Sequence, residues 1–388
     1  MKVICDRVAL LDAVNLVASV AATRTPRPQL TCIKIGATSD GELHLTATDA
    51  EISIALVLTK VDVQKAGEAL IPADKFRQII SAEENESTLT IETEGDVCHI
   101  RGADAHFTLH GYPPGDFPPV PTFEEIVSGA GGAHPAKSVF APPAGDLDTL
   151  ISRTLFAAAR ENSRYAINGV LLKHDGKVME MVATDGRRLA LGRAAVRADD
   201  APETPVSCII PSKALSTLQK LIDNPDDPVK IAIADNQVVF SLGGDDDALR
   251  ATLSSNLVEG SFPPYDEVIP SDLDIKVSFD RDVMASAIRR AALLTNEESR
   301  GVRLSFRGKD KLLELSSRAP EMGEAQITVD LTDYQGDDVE IGFNPGFITD
   351  ALKVIDDPQV ILELKAQNKP GLIKSGTDFL YVVMPVSL

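Results

Sequence analysis

Histidines are the residues whose spacing first suggests chemistry. His106 and His110 stand at i and i+4, with His99 upstream. On a helix that spacing would turn two imidazoles onto one face, where they could hold zinc. The stretch HFTLH (106–110) instead alternates polar and apolar residues, as a strand does. On a strand, positions i and i+4 lie about 13 Å apart and cannot share one metal. Asp245-Asp246-Asp247 follows Gly243-Gly244 and has the character of a solvated hairpin turn. The four cysteines, Cys5, Cys32, Cys98 and Cys208, are scattered, with no CxxC pair. That pattern suits a reducing compartment and argues against a disulfide framework or a zinc site. No G-x-x-x-x-G-K-[ST], G-x-S-x-G or G-x-G-x-x-G stretch occurs. The expectation is therefore a protein with no metal, no cofactor and no catalytic residues.

A different motif carries more information. MVATDGRRLALGR (181–193) passes from apolar residues into Asp185-Gly186 and two arginines, then back into apolar residues. LTATDAEISIAL (45–56) places Ala-Thr-Asp in a similar setting, 136 residues earlier counted from Asp49 to Asp185. The elements around these stretches repeat as well. LIPADKFRQII (70–80), CIIPSKALSTLQKLI (208–222) and IGFNPGFITDALKVI (341–355) each join a strand end to a helical pattern at a proline. Pro72, Pro211 and Pro345 are 139 and 134 residues apart, and each suits a first helical turn.

An amphipathic helix precedes each of these copies, at 6–20, 146–158 and 280–294, and each opens with a capping Asp. Alternating strands fill the space between the two helices: 31–36 with 43–58, 168–173 with 178–193, and 302–307 with 311–329. In the third copy the motif has drifted to LSSRAPE (315–321). GDFPPVP (115–121) and GSFPPYDEVIP (260–270) close the first two copies, since Phe-Pro-Pro stops a strand. The expected domains are 1–121, 137–262 and 263–388, each α+β with two helices on antiparallel sheet. Residues 122–136, which include SGAGGAHPA, are expected to form a flexible linker.

The formal net charge of the 388 residues is -20, which by itself disfavours nucleic acid. The six expected helices nevertheless hold 10 basic against 9 acidic residues, leaving 28 against 49 elsewhere. A locally positive surface on an acidic body is what a protein tracking a phosphate backbone needs. No stretch approaches the ~18 apolar residues of a membrane span. Asp12 and Asn15 interrupt any secretory pattern near the start, so a cytoplasmic protein is expected.

Three α+β repeats, VATDGRRLA (182–190), NPGFITDAL (344–352), RGVRLSF (300–306) and YVVMPVSL (381–388) together resemble one family. It is the bacterial DNA sliding clamp, the β subunit of the replicative DNA polymerase III. The resemblance spans the whole chain except the lengthened segment after Pro121. It implies a head-to-tail homodimer that closes into a ring around duplex DNA, with helices lining the pore. It also implies a processivity factor that tethers polymerase subunits, and a clamp loader, through short peptides.

Carried over by motif, the partner-peptide groove would comprise Ile167, Gly169, Thr184, Arg187, Arg188, Leu189, Pro263, Val268, Asn344, Phe347, Met384, Pro385 and Val386. Arg24, Lys75, Arg164, Tyr165 and Lys213 would face DNA, and Phe107 and Leu109 would meet Leu293 and Leu294 of a second copy. Arg187 stands where the family usually has His, and Glu267 and Ser387 where it has Arg. Asp74 stands where a basic DNA-facing residue is usual, and Asp104 and His106, which flank the interface residues Phe107 and Leu109, stand where basic residues are usual. The alternative reading is a peptide-binding scaffold that does not encircle DNA.

Overall fold

The computed structural model describes residues 1–130, 135–160, 166–196, 205–243, 249–295 and 301–387. In the first repeat, β1 (Lys2–Asp6) and α1 (Arg7–Ala18) lead into β2 (Cys32–Ala37), β3 (Leu43–Thr48) and β4 (Ile52–Leu58). β5 (Asp62–Lys65), β6 (Gly67–Pro72), α2 (Ala73–Ala82), β7 (Thr88–Glu94), β8 (Val97–Arg101) and β9 (His106–His110) complete it. A short helix, α3 (Phe123–Ser128), precedes the second repeat.

The second repeat opens with β10 (Ser138–Phe140), α4 (Ala144–Thr154), β11 (Gly169–His174), β12 (Val178–Thr184) and β13 (Arg188–Ala195). It continues through β14 (Val206–Pro211), α5 (Ser212–Gln219), β15 (Lys230–Ile233), β16 (Gln237–Leu242) and β17 (Leu249–Asn256). The third contains β18 (Ile275–Asp280), α6 (Arg281–Ala291), β19 (Val302–Arg307), β20 (Leu312–Ala319) and β21 (Gly323–Asp330). It ends with β22 (Asp333–Gln335), β23 (Val339–Phe343), α7 (Pro345–Lys353), β24 (Gln359–Leu364), β25 (Gly371–Ser375) and β26 (Phe379–Val383).

The helices form where apolar residues recur at helical spacing. α1 buries Leu10, Ala13, Val14 and Val17; α6 buries Met284, Ala287, Ile288 and Ala291. Asp6 accepts a capping hydrogen bond from the backbone N–H of Ala9, and Asp280 does so from Asp282 and Val283. The middle copy departs from this expectation. α4 begins at Ala144, so Asp146 sits inside its first turn and favours the helix dipole there rather than capping it. The prolines differ too. Pro345 occupies the first helical position behind the Asn344 cap, whereas Pro72 and Pro211 end strands and the helix begins one residue later. The asparagine side chain, which accepts from Gly346 N–H at 2.9 Å, provides in copy three a cap that proline cannot supply.

The expected linker is partly ordered. Thr122 and Glu125 form a reciprocal capping box, each side chain accepting from the other's backbone N–H. Phe123 and Ile126 then bury their side chains against Ala232, Ala234 and Val239. Apolar burial outweighs the flexibility that the neighbouring glycines suggested. Of the SGAGGAHPA stretch, residues 131–134 lie outside the described residues.

Two compact units emerge, and the middle repeat is divided between them. One holds mainly Met1–Asp148 and Lys213–Leu257; the other, mainly Thr149–Val196 and the chain from Val258 onward. In the first unit an eight-stranded sheet runs β10-β15-β16-β17-β4-β3-β2-β6, and a five-stranded sheet runs β5-β1-β7-β8-β9. Strands of two repeats meet where β17 pairs antiparallel with β4, from Leu249↔Leu58 to Ser255↔Ile52. In the second unit a nine-stranded sheet runs β14-β11-β12-β13-β26-β25-β24-β18-β22, beside a four-stranded sheet β21-β20-β19-β23. Here β13 pairs antiparallel with β26, from Arg188↔Val383 to Gly192↔Phe379.

Strict alternation selects the buried face. β4 buries Ile52, Ile54, Leu56 and Leu58, and its remaining residues are partly exposed. The four cysteines are buried and free. Burial pushes the thiols of Cys5, Cys98 and Cys208 up to about 12, so they remain protonated and unreactive at neutral pH. Among the described residues no helix is long and apolar enough to cross a membrane.

Candidate functional site

The Ala-Thr-Asp stretches are turns, built with the same hydrogen bonds in both copies. Thr184 Oγ1 donates to Arg188 O at 2.6 Å and accepts from Gly186 N–H at 3.1 Å. Asp185 Oδ1 accepts from the backbone N–H groups of Arg187 and Arg188. Thr48 and Asp49 repeat this set with Ile52 O and the N–H groups of Ala50, Glu51 and Ile52. Threonine and aspartate are needed because their short side chains can mimic backbone groups at a tight reversal. The left-handed position falls on Gly186 at φ 84° and on Ala50 at φ 79°. Glycine adopts that conformation without steric cost, and alanine does not.

The turn aims Arg188 inward. Its Nε donates to Asp185 Oδ2 at 3.0 Å, Nη1 to Asp350 Oδ2 at 2.9 Å, and Nη2 to Phe156 O at 2.8 Å. The guanidinium also lies over the rings of Phe347, 4.5 Å from the centroid, and Phe156, at 5.5 Å. Only 11% of the side chain is exposed. Burial opposes the charge, but the Asp350 hydrogen bond, followed by Tyr381 and then Asp185, outweighs it, and the guanidinium is held protonated above its ordinary range.

Beside Arg188 opens a pocket of about 180 Å³. Its walls are Ile167, Thr184, Gly186, Arg187, Arg188, Leu189, Pro263, Tyr265, Val268, Val382 and Met384. Val268 is 46% exposed and Met384 38%, unusual for large apolar side chains. An apolar cleft with a few polar anchors suits the side chains of a short extended peptide.

Eight residues expected at the groove line this pocket: Ile167, Thr184, Arg187, Arg188, Leu189, Pro263, Val268 and Met384. The other five are placed elsewhere. Gly169 lies where β11 approaches β14, and a Cβ there would stand 2.6 Å from Ile210 O. Asn344 caps α7, and Phe347 supports Arg188 from behind. Pro385 and Val386 continue past the pocket, with Val386 N–H donating to Gly342 O.

Three lining residues were missed by the sequence reading: Gly186, Tyr265 and Val382. Tyr265 matters most. Its hydroxyl donates to Glu180 Oε1 at 2.5 Å and accepts from Lys173 Nζ at 2.6 Å, while its ring packs with Leu171, Val182 and Leu189. Burial, and then the Glu180 hydrogen bond, raise the phenol far above its ordinary range. This anchoring fixes the 3-10 turn Tyr265–Glu267, which Val268 closes. An aromatic residue directly after Pro263-Pro264 was the available signal.

The DNA-facing expectations have mixed surroundings. Arg24 is exposed in the loop after α1. Lys75 is exposed in the first turn of α2 and donates to Gln78 at 3.2 Å. Lys213 is half-exposed, and its ammonium contacts Asp49 Oδ2 at 2.5 Å, so the carboxylate offsets its charge. Arg164 and Tyr165 lie outside the described residues. Phe107 and Leu109 sit half-buried on β9, the outer strand of the five-stranded sheet. Leu293, 77% exposed, and the less exposed Leu294 occupy a 3-10 turn after α6.

Among known proteins, family models of the DNA polymerase III beta subunit match in order. They are the N-terminal domain at residues 1–121, the central domain at 143–264 and the C-terminal domain at 266–387. The beta sliding clamp of Pseudomonas aeruginosa is 33% identical over 385 residues, 99% of each chain. That of Escherichia coli K12 is 30% identical over 390 residues, covering both chains fully. A crystal structure of the Pseudomonas aeruginosa sliding clamp bound to griselimycin superposes with a TM-score of 0.88 at 32% identity, over the full length of both chains. The Bacillus subtilis sliding clamp gives 0.87 at 28% identity, over 100% of this chain and 99% of that one. With all three domains matched in sequence order and the fold reproduced from end to end, the chain belongs to the DNA polymerase III beta subunit family.

Proposed function

We propose that this chain is a sliding clamp, a non-catalytic accessory factor that works without a cofactor. Two copies close head to tail around duplex DNA and tether polymerase subunits and the clamp loader through the pocket beside Arg188. The ring holds phosphates rather than base edges, so it slides without regard to sequence. Tethering raises the polymerase's effective concentration at the primer end, which is the physical basis of processivity.

One observation supports closure above the others. Within each repeat, β4, β13 and β21 are equivalent, being the third strand after the repeat's opening strand. β9, β17 and β26 are equivalent as the closing strands. Repeats join where β17 pairs with β4 and where β26 pairs with β13. The same rule leaves β21 and β9 over, and each is one of the two outer strands of its sheet. A second copy can satisfy both with the pairing already used twice within the chain. Unpaired apolar edges are otherwise a liability. Leu293 and Leu294 flank β21, while Phe107 and Leu109 lie on β9.

The test is mass in solution followed by DNA retention. The unaltered chain should run at twice its 41.5 kDa. Leu293→Asp, which changes an exposed side chain, should give a folded monomer. After loading, the dimer should stay on circular DNA and leave a linear duplex of the same sequence. A monomeric unaltered chain, or equal retention on both DNAs, would overturn closure in favour of a scaffold that does not encircle DNA.

A further inference from the structure

Strand register brings together two histidines that no helical or strand spacing connects. β8 and β9 run antiparallel, with His99 opposite Thr108 and Arg101 opposite His106. His99 and His106 are thus diagonal neighbours on one face of the sheet. His106 Nε2 lies 3.2 Å from His99 Nδ1. The ring centroids are 5.2 Å apart and the planes inclined by 45°. His110, on the same face, stands opposite Val97. Neither His99 nor His106 belongs to the pocket or to the DNA-facing set, and His106 begins β9, the edge strand that the proposed ring offers to a second copy.

We propose that His99 and His106 chelate a divalent transition cation of the kind imidazole prefers, such as zinc, nickel or copper(II). Two nitrogens bound to tetrahedral zinc stand about 3.3 Å apart, with ring centres about 5.2 Å apart. The pair already has both separations, so binding requires the rings to reorient but not to change their spacing. It does require the N–H···N contact to open. The donating ring moves its proton to its outer nitrogen, both inner lone pairs turn to the metal, and no net proton is lost. Thr108 Oγ1 lies 3.3 Å from His99 Nδ1. Arg101 and Glu92 border the site from β8 and β7, and they pair with each other at 3.4 Å. Affinity therefore rests on the two imidazoles, and the remaining coordination positions stay open to water.

Isothermal titration of tag-free, metal-stripped protein with zinc chloride tests this. One zinc per chain is expected. His99→Ala and His106→Ala should each weaken binding about tenfold or more, because one imidazole alone holds zinc poorly. His110→Ala should leave it unchanged. Glu86→Gln serves as a second control, because Glu83, Glu86 and Asp104 gather carboxylate oxygens within 4.8 Å of one another nearby. Unchanged thermal melts would establish that each variant is folded. No uptake by the unaltered chain would mean that the contact is a hydrogen bond only. That result, undiminished uptake in either histidine variant, or loss in His110→Ala or Glu86→Gln would overturn the proposal.

Discussion

Arg188 ties distant parts of the fold together and also lines the candidate peptide pocket. It joins the turn at Asp185 to α7 at Asp350 and forms one wall of the pocket. Removing a hydrogen-bonded charge that is mostly buried leaves Asp350 with Lys353 as its remaining ion pair and Asp185 with backbone N–H groups. Arg188→Ala should therefore cost roughly 2 kcal/mol of stability, as well as peptide affinity. Chemical denaturation and a fluorescent-peptide titration would check the two losses. A variant that bound peptide normally would remove Arg188 from the binding wall.

Asp49 gives a pH prediction. Burial works against its charge, but hydrogen bonds from Lys213 Nζ and from the backbone N–H groups of Ile52 and Glu51 hold its carboxyl below the usual range. A depressed carboxyl stabilises the fold fully above the unfolded value of about 3.9, and that contribution disappears as pH falls through the lower folded value. Asp49→Asn should therefore flatten the decline of stability below about pH 4. It also frees Lys213, so DNA retention should strengthen and its salt dependence steepen by about one phosphate contact. Melts between neutral and acidic pH, with a salt series on DNA, would test both.

Helices legible from sequence owe that to buried spacing, as at Leu10, Ala13, Val14 and Val17. Their starting points were less legible, because the Asp at the head of α4 and the prolines at α2 and α5 are each offset from the expected position. A cap is decided by which side chain meets a free N–H, and composition alone does not say. α3 was missed for a different reason. Its Thr122-x-x-Glu125 signature is plain in the sequence, but the glycines after it pointed to a linker. Thr122→Ala should cost about 1 kcal/mol by removing the cap. Faster amide exchange across residues 123–128 would be the local readout. No change there would mean that Phe123 and Ile126 hold the helix without it.

Across the chain, three repeats do not make three closed units. The middle repeat places β15, β16 and β17 in one sheet with the first repeat, and β11, β12 and β13 in another with the third. Repeat length was readable because each copy pairs a helix, alternating strands and a second helix at similar spacing, even though the caps and the Ala-Thr-Asp turn are not the same in all three. Partnership between strands was not, since β17 and β4 are joined by backbone hydrogen bonds that every residue type can make. The same limit applied to His99 and His106, which only register brings within 3.2 Å of each other. It applied also to Tyr265, whose place at the pocket depends on Glu180 and Lys173 far away in the chain.

Sequence alone determined the repeated α+β unit and the recurrence of its Ala-Thr-Asp stretches, because those depend on local periodicity and residue type; the pocket residues were named only through the family resemblance, since its walls come from distant parts of the chain. Tertiary structure decided which strands share a sheet, which charges are already paired and which outer strands remain unpaired. Those depend on residues far apart in the chain meeting in space, and one-dimensional spacing does not record such meetings.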